Sequence, residues 1–247
     1  MKKSKLQKPN FILSDLIPHV NLFLHVKDRI SLKRSCTYYF EFFIKTSIHK
    51  KINLVYIVDT TASMIEHIQS LLENISNLNN FLQNLNTSFS IIEFWDHIII
   101  NNHIDNPTNV STNLTNIECN EMFEQMEIDR GGDIPEAVVD ALHELNNLEV
   151  NKDDANFILY ISDSYPHGYM YESDSYPNGC PCKFTCKNEL IKLNNNKYKF
   201  IYYDLDLSEL DEYQEAIKLF QKDIFKYVDN CVIMKFKKIK QYILREI

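Results

Sequence analysis

The apolar positions of the chain fall into two kinds of run. Five short stretches are almost continuously apolar: INLVYIVD at 52–59, SFSIIEFW at 88–95, NFILYIS at 156–162, KFIYYDL at 199–205 and CVIMKF at 231–236. Runs of this kind and length predict strands covered on both faces, as in a parallel sheet. Between them lie segments of helical period. MIEHIQSLLENISNLNNFLQNL places Ile65, Ile68, Leu72, Ile75, Leu78, Leu82 and Leu85 on one predicted stripe. CNEMFEQMEI, PEAVVDALHELNNL, NELIKLNN and ELDEYQEAIKLFQKDIFKYV continue the alternation. Strand and helix taking turns predict an α/β fold with a doubly wound, mostly parallel sheet of Rossmann-like type. A short helix is expected over 237–247.

Residues 10–46 have a different texture. NFILSDLIPHVNLFLHVKDRISLKRSCTYYFEFF carries Leu16, Val20, Phe23 and Leu24 at helical spacing, with Asp15 and Asp28 where caps would sit. About 40 helical residues cannot bury much core alone, so this segment needs company. The plain expectation is a helical hairpin packed on the larger domain. Residues 1–9 form a basic tail expected to be disordered, and IKTSIHKK at 44–51 is a basic connector.

Composition narrows the function. The 247 residues are 45% hydrophobic and 24% charged, ordinary for a globular chain. The net charge of −8 argues against nucleic acid and for proteins or cations as ligands. Lysines near the start precede an apolar patch, but Asp15, Pro18 and His19 break it and no small-residue cleavage site follows. No run approaches the roughly 18 apolar residues of a membrane span. The expected setting is therefore intracellular and cytoplasmic (a host's cytoplasm, if the source is viral), with no membrane partner. The six cysteines are then expected as free thiols.

The chemistry concentrates where strands end. Asp59 closes the first apolar run, and Thr61 and Ser63 follow at alternate positions. In doubly wound sheets ligands bind at the carboxyl ends of strands, and oxygen donors of this kind suit a hard cation such as Mg²⁺. The simpler alternative is that Asp59 and Ser63 cap the helix that begins near Met64.

D-x-T-x-S after an apolar strand resembles the metal-ion-dependent adhesion site (MIDAS) of a von Willebrand factor type A (VWFA) domain. Three further segments fall in the same order: FWDH at 94–97, RGGDIPEAVVDAL at 130–142, and ISDSYPHGYMYESDSYPNGCPC from Ile161. They are similar to the subgroup of A domains found beside alpha-type kinases, and the resemblance spans 52–236. It implies that Asp59, Thr61 and Ser63 form the first metal loop and that Asp163 supplies the third. It also puts Asp133 where the second loop usually has threonine. The implied cation is Mg²⁺, with Mn²⁺ or Ca²⁺ as alternatives. With three carboxylates the ion would be nearly neutralised, so it is expected to hold loops together as much as to bridge to a partner. Gly131 and Gly132 are expected to allow a tight turn. Pro135 and Glu136 are expected in the first turn of the next helix.

The N-terminal segment resembles an F-box. Leu13, Leu16, Ile17, Val20, Leu24 and Leu32 carry the match, with Lys27, Asp28, Cys36 and Tyr38, while Ser14 stands where the family usually has proline. This implies docking to a Skp-type adaptor of a cullin ubiquitin ligase through exposed apolar residues. The combined expectation is an adaptor: the A domain grips an unknown target protein and the F-box-like segment hands it to the ligase. The alternative is a stand-alone metal-dependent binding module or scaffold.

CPCKFTC offers a second metal set. Cys180, Cys182 and Cys186, with His167 upstream, have the ligand types of a zinc site, although C-x-C-x₃-C is not a knuckle spacing. The competing expectation is incidental thiols in a long loop. No G-x-S-x-G, phosphate loop or Rossmann glycine pattern is present, so a binding protein is expected rather than an enzyme. A metal-assisted phosphoesterase is the weaker alternative.

Overall fold

The computed structural model describes residues 50–247, except 98, 101–102, 129, 134, 170–173 and 206–212. The basic tail and the F-box-like segment, including Leu13, Leu16, Ile17, Val20, Leu24 and Leu32, lie outside the described residues.

β1 (Ile52–Asp59) is the spine of the sheet. It pairs in parallel with β2 (Thr87–Phe94) on one side and β6 (Ala155–Ile161) on the other. β7 (Lys199–Tyr203) and β8 (Cys231–Met234) extend the β6 side in parallel. β5 (Thr108–Leu114) closes the other edge antiparallel to β2, giving the order β5-β2-β1-β6-β7-β8. The fold is α/β with a mostly parallel sheet, as the alternation predicted. The polar run TNVSTNL of β5 is a strand the apolar pattern does not signal, because an edge strand half-open to solvent needs no continuous apolar run. A two-stranded ribbon, β3 (Ile99–Ile100) and β4 (His103–Ile104), stands apart.

Helices cover both faces. On one face Val55, Ile57, Ile158, Tyr160 and Phe200 share a core with α3 (Val138–Asn147), α4 (Cys186–Asn195) and α5 (Gln214–Tyr227). On the other, Tyr56 meets Phe123 of α2 (Asn116–Gln125) edge-to-face, and its hydroxyl donates to Asn79 of α1 (Ile65–Leu82) at 2.5 Å. α6 (Ile239–Glu246) packs Tyr242 against Phe157. Each large side chain fully removed from water contributes about 1.5–3 kcal/mol, so the alternating sides of β1 alone anchor two layers.

The buried stripe of α1 runs through Ile68, Leu71, Ile75, Leu78 and Leu82. Leu71 replaces the expected Leu72, and Ile65 is 38% exposed. α2 starts before the expected segment because Thr115 and Glu118 form a capping box, Glu118 N–H donating to Thr115 Oγ1 at 3.3 Å. α3 starts later than expected, at Val138. The five described cysteines form no disulfide. No helix among the described residues is long and apolar enough to cross a membrane.

Candidate metal centre

The chain runs from β1 outward to β2, then returns to place β6 on the other flank of β1. The strand order therefore reverses beside β1, where a doubly wound sheet opens its crevice at the carboxyl ends of the strands. Asp59 stands on one lip of this crevice and Asp163 on the other.

Asp59 is completely buried. Its Oδ1 accepts from the Thr61 backbone N–H at 3.0 Å and from Thr61 Oγ1 at 2.7 Å. Its Oδ2 accepts from Ser162 Oγ at 2.7 Å. Ser63 Oγ lies 3.1 Å from Thr61 Oγ1 and donates to Asp163 Oδ1 at 3.2 Å. Four of the five oxygen donors expected from the sequence thus form one chain of contacts. Asp59 and Ser63, the caps of the simpler alternative, do not stand at the cap positions, which fall on Thr61 and Met64, and neither of those makes a side-chain cap.

Asp133 sits differently. It lines the same cavity, yet its Oδ2 accepts from Ser175 N–H at 2.5 Å and its N–H donates to Asp96 Oδ2 at 3.3 Å. Its close partners are Asp96 and His167, with which it groups within 4.8 Å.

Glu136 is the carboxyl that sequence reasoning misplaced. The residue expected at the positive end of a helix lies ahead of α3. There its N–H donates to Tyr165 O at 3.0 Å, and its side chain is 3% exposed. Oε2 is buried with no hydrogen-bond partner among the described residues. Burial, then the charges of Asp59, Asp96, Asp133 and Asp163, push the Glu136 carboxyl up to about 11. Burial and the nearby Asp163 push Asp59 up to about 7, against the opposing pull of the Thr61 and Ser162 hydrogen bonds. Burial also raises Asp163, against its bond from Ser63.

Thr61, Ser63, Asp133, Glu136 and Asp163 line a cavity with a volume of 340 Å³, and Asp59 is buried beneath it, joined to its wall by the bond from Thr61. Arg130, also on its wall, is engaged elsewhere: its guanidinium lies 4.2 Å from the Trp95 ring and 3.4 Å from Glu127. The glycine pair brings the wall close. A Cβ on Gly132 would collide with the Asp96 carboxylate, and Gly131 has φ +148°, a conformation that favours glycine. Asp59, Thr61, Ser63, Asp163 and Glu136 form an all-oxygen donor set, partly buried, with an orphaned carboxyl oxygen among them. Oxygen donors of this kind are the type a divalent hard cation takes, and such a charge would reverse the repulsion that now favours protonated carboxyls. The Asp59, Glu136 and Asp163 carboxylates do not group within 4.8 Å as the Asp96, Asp133 and His167 ligand atoms do.

The second expected set does not assemble as predicted. His167 is clamped between carboxylates, Nδ1 at 2.7 Å from Asp174 Oδ1 and Nε2 at 3.1 Å from Asp96 Oδ1. Burial works to lower the His167 pKa, but these two contacts outweigh it and raise it above the usual histidine value. Cys186 heads α4 and interacts with Tyr169. Cys180 and Cys182 meet two residues the sequence did not single out for a metal, His97 and Asp140, with ligand atoms of all four within 4.8 Å of one another. Their separation along the chain hid that grouping.

No protein-family model matches the chain, and no curated protein matches it. Among solved structures 141 chains match. The crystal structure of the pilus adhesin SpaC from Lactobacillus rhamnosus GG in its open conformation has a TM-score of 0.53 and 12% identity, over 79% of this chain and 29% of the adhesin. Another crystal form of SpaC gives 0.53 and 13%, over 79% and 30%. Proximal thread matrix protein 1 from the mussel byssus gives 0.44 and 13%, over 79% of this chain and 45% of that one. The chain thus spans under a third of the adhesin, and at these identities the likeness to SpaC is one of fold.

Proposed function

We propose that residues 52–236 are a divalent-cation-dependent protein-binding module of the von Willebrand factor A type, and that residues 10–46 tether it to a Skp-type adaptor of a cullin ubiquitin ligase. The observation that carries the first part is that Thr61, Ser63, Asp163 and Glu136 line one cavity at the crevice of the sheet, with the buried Asp59 bonded to Thr61 directly beneath it. These residues would hold Mg²⁺, or Mn²⁺ or Ca²⁺ in its place. When bound, the ion supplies a positive charge that ties the loops after β1 and β6 to the segment before α3, and an open face for a partner's oxygen. With Glu136 among the donors, charge compensation within the site is greater than in a set with two carboxylates, which favours the loop-tying role. The second part rests on the sequence resemblance of Leu13 to Phe43 alone. A stand-alone binding module without a ligase is the alternative.

Isothermal titration of the full chain with MgCl₂ tests the cation. About one equivalent should bind, and Asp59→Asn should abolish the heat; an unchanged isotherm in that variant would sink the site. A pull-down with purified Skp-type adaptor tests the tether. Capture that survives EDTA and is lost in a Leu16→Asp/Leu24→Asp variant supports it, and no capture by the wild type leaves the stand-alone module.

A further inference from the structure

We propose that His97, Asp140, Cys180 and Cys182 form a structural zinc site, separate from the oxygen-lined cavity, which staples residues 174–185 to the end of β2 and the first turn of α3.

Three segments distant in sequence converge here. His97 follows β2, Asp140 lies in the first turn of α3, and the two cysteines come from the long loop between β6 and α4. His97 Nε2 is 3.2 Å from Asp140 Oδ2 and 3.6 Å from Cys180 Sγ. Cys180 Sγ is 2.9 Å from the same Asp140 oxygen. A tetrahedral zinc with bonds of about 2.0–2.3 Å places its ligand atoms roughly 3.3–3.8 Å apart. The cluster is already near that geometry, and small rotamer adjustments would open room for the ion. One imidazole, one carboxylate and two sulfurs are a donor set for a borderline-soft cation, whereas thiolates are poor ligands for Mg²⁺.

The backbone presents the two sulfurs together. Gly179 takes φ +99° as its N–H donates to Tyr176 O at 2.9 Å. Lys183 takes φ +68° as its N–H donates to Cys180 O at 3.0 Å. The Cys182 N–H donates to Cys180 Sγ at 3.3 Å, a contact that would stabilise a thiolate there. The His97 ring is held by Tyr176 edge-on at 5.5 Å and by His167 at 5.6 Å, and among the described residues its Nδ1 has no hydrogen-bond partner. Its Nε2 therefore carries the ring's polar contacts and faces the cluster. His97, Asp140 and Cys180 are all buried.

Zinc binding would release the two thiol protons to solvent, leaving two thiolates, one carboxylate and neutral imidazole on the ion. The site adjoins the oxygen-lined cavity through one neighbour: Asp96 accepts from the His97 N–H at 2.6 Å and from the Asp133 N–H at 3.3 Å. The staple would thus also steady the Asp96–Asp133 wall of that cavity.

The test is zinc content of the full chain, purified without chelator and measured by plasma mass spectrometry. About one equivalent is expected in the wild type and in Cys186→Ser and Asp59→Asn, with less than about a tenth in Cys182→Ser and Asp140→Ala. The Asp59→Asn control separates this site from the cation reading above, since either can fail alone. Should the Cys182 or Asp140 variant not fold, cobalt substitution of the wild type decides: two-thiolate charge-transfer absorption is expected. Full zinc in Cys182→Ser, a wild type that takes up no zinc, a Cys180–Cys182 disulfide in its place, or cobalt without thiolate bands would each overturn the proposal.

Discussion

Ser162 Oγ donates to Asp59 Oδ2 at 2.7 Å, joining the ends of two adjacent parallel strands that are about a hundred residues apart in sequence. Both side chains are fully buried, so this bond helps fix the angle at which Asp59 meets Thr61 beneath the cavity. Ser162→Ala leaves that carboxyl oxygen without its donor, at a cost of about 1–3 kcal/mol. Urea unfolding should show the loss, and Mg²⁺ titration should show weaker binding. Unchanged affinity would mean that the Thr61 contacts alone orient Asp59.

Glu136 and Asp133 separate by substitution. Without a divalent cation, Glu136→Gln removes a group that must be buried among four other carboxyls, so the melting temperature should rise by a few degrees. With Mg²⁺ present the same variant should lose affinity by roughly tenfold or more, while Asp133→Asn, whose Oδ2 is turned to Ser175, should lose less. The opposite ranking in calorimetry would make Asp133 the ligand.

The cation-free protein should also respond to pH with a defined sign. Asp59 has a carboxyl pushed from 3.8 to about 7 in the folded chain. A raised carboxyl pKa means that the folded state holds its proton more tightly, so stability falls as pH rises from 4 to 7. Thermal melts in EDTA should show this decline, and excess Mg²⁺ should flatten it. Equal slopes in both conditions would remove Asp59 from the cation site.

His167 acts in a neighbouring window. Its pKa is raised above 6.5 by Asp96 and Asp174, so its contribution is complete below 6.5 and is lost as pH rises through the folded-state value. Proton exchange of the Gly168 amide, which donates to Asp174 Oδ2 at 2.6 Å, should quicken in that range beyond the intrinsic rate. His167→Gln should abolish the added pH dependence.

Gly132→Ala should destabilise the fold by about 1–3 kcal/mol, because the new methyl meets the Asp96 carboxylate and the site cannot simply expand. Asp96→Ala in the same chain should recover part of the loss in denaturant titrations. Additive effects would place the strain elsewhere.

The α/β alternation was legible in the chain because central parallel strands are buried on both faces and leave continuous apolar runs. Asp59, Thr61, Ser63 and Asp163 were legible for a related reason: they directly follow two of those runs, and neighbouring parallel strands bring their ends together. The edge strand β5 and the late start of α3 were not, since one depends on solvent exposure and the other on the contact of Glu136 with Tyr165 and Pro166. Only tertiary structure decided that Glu136 turns into the cavity, that Asp133 leans to Ser175, and that Cys180 and Cys182 meet His97 and Asp140 while His167 goes to Asp96 and Asp174. His97 and Cys180, for example, are 83 residues apart. Such pairings depend on which distant segments the sheet brings side by side, which no local spacing encodes.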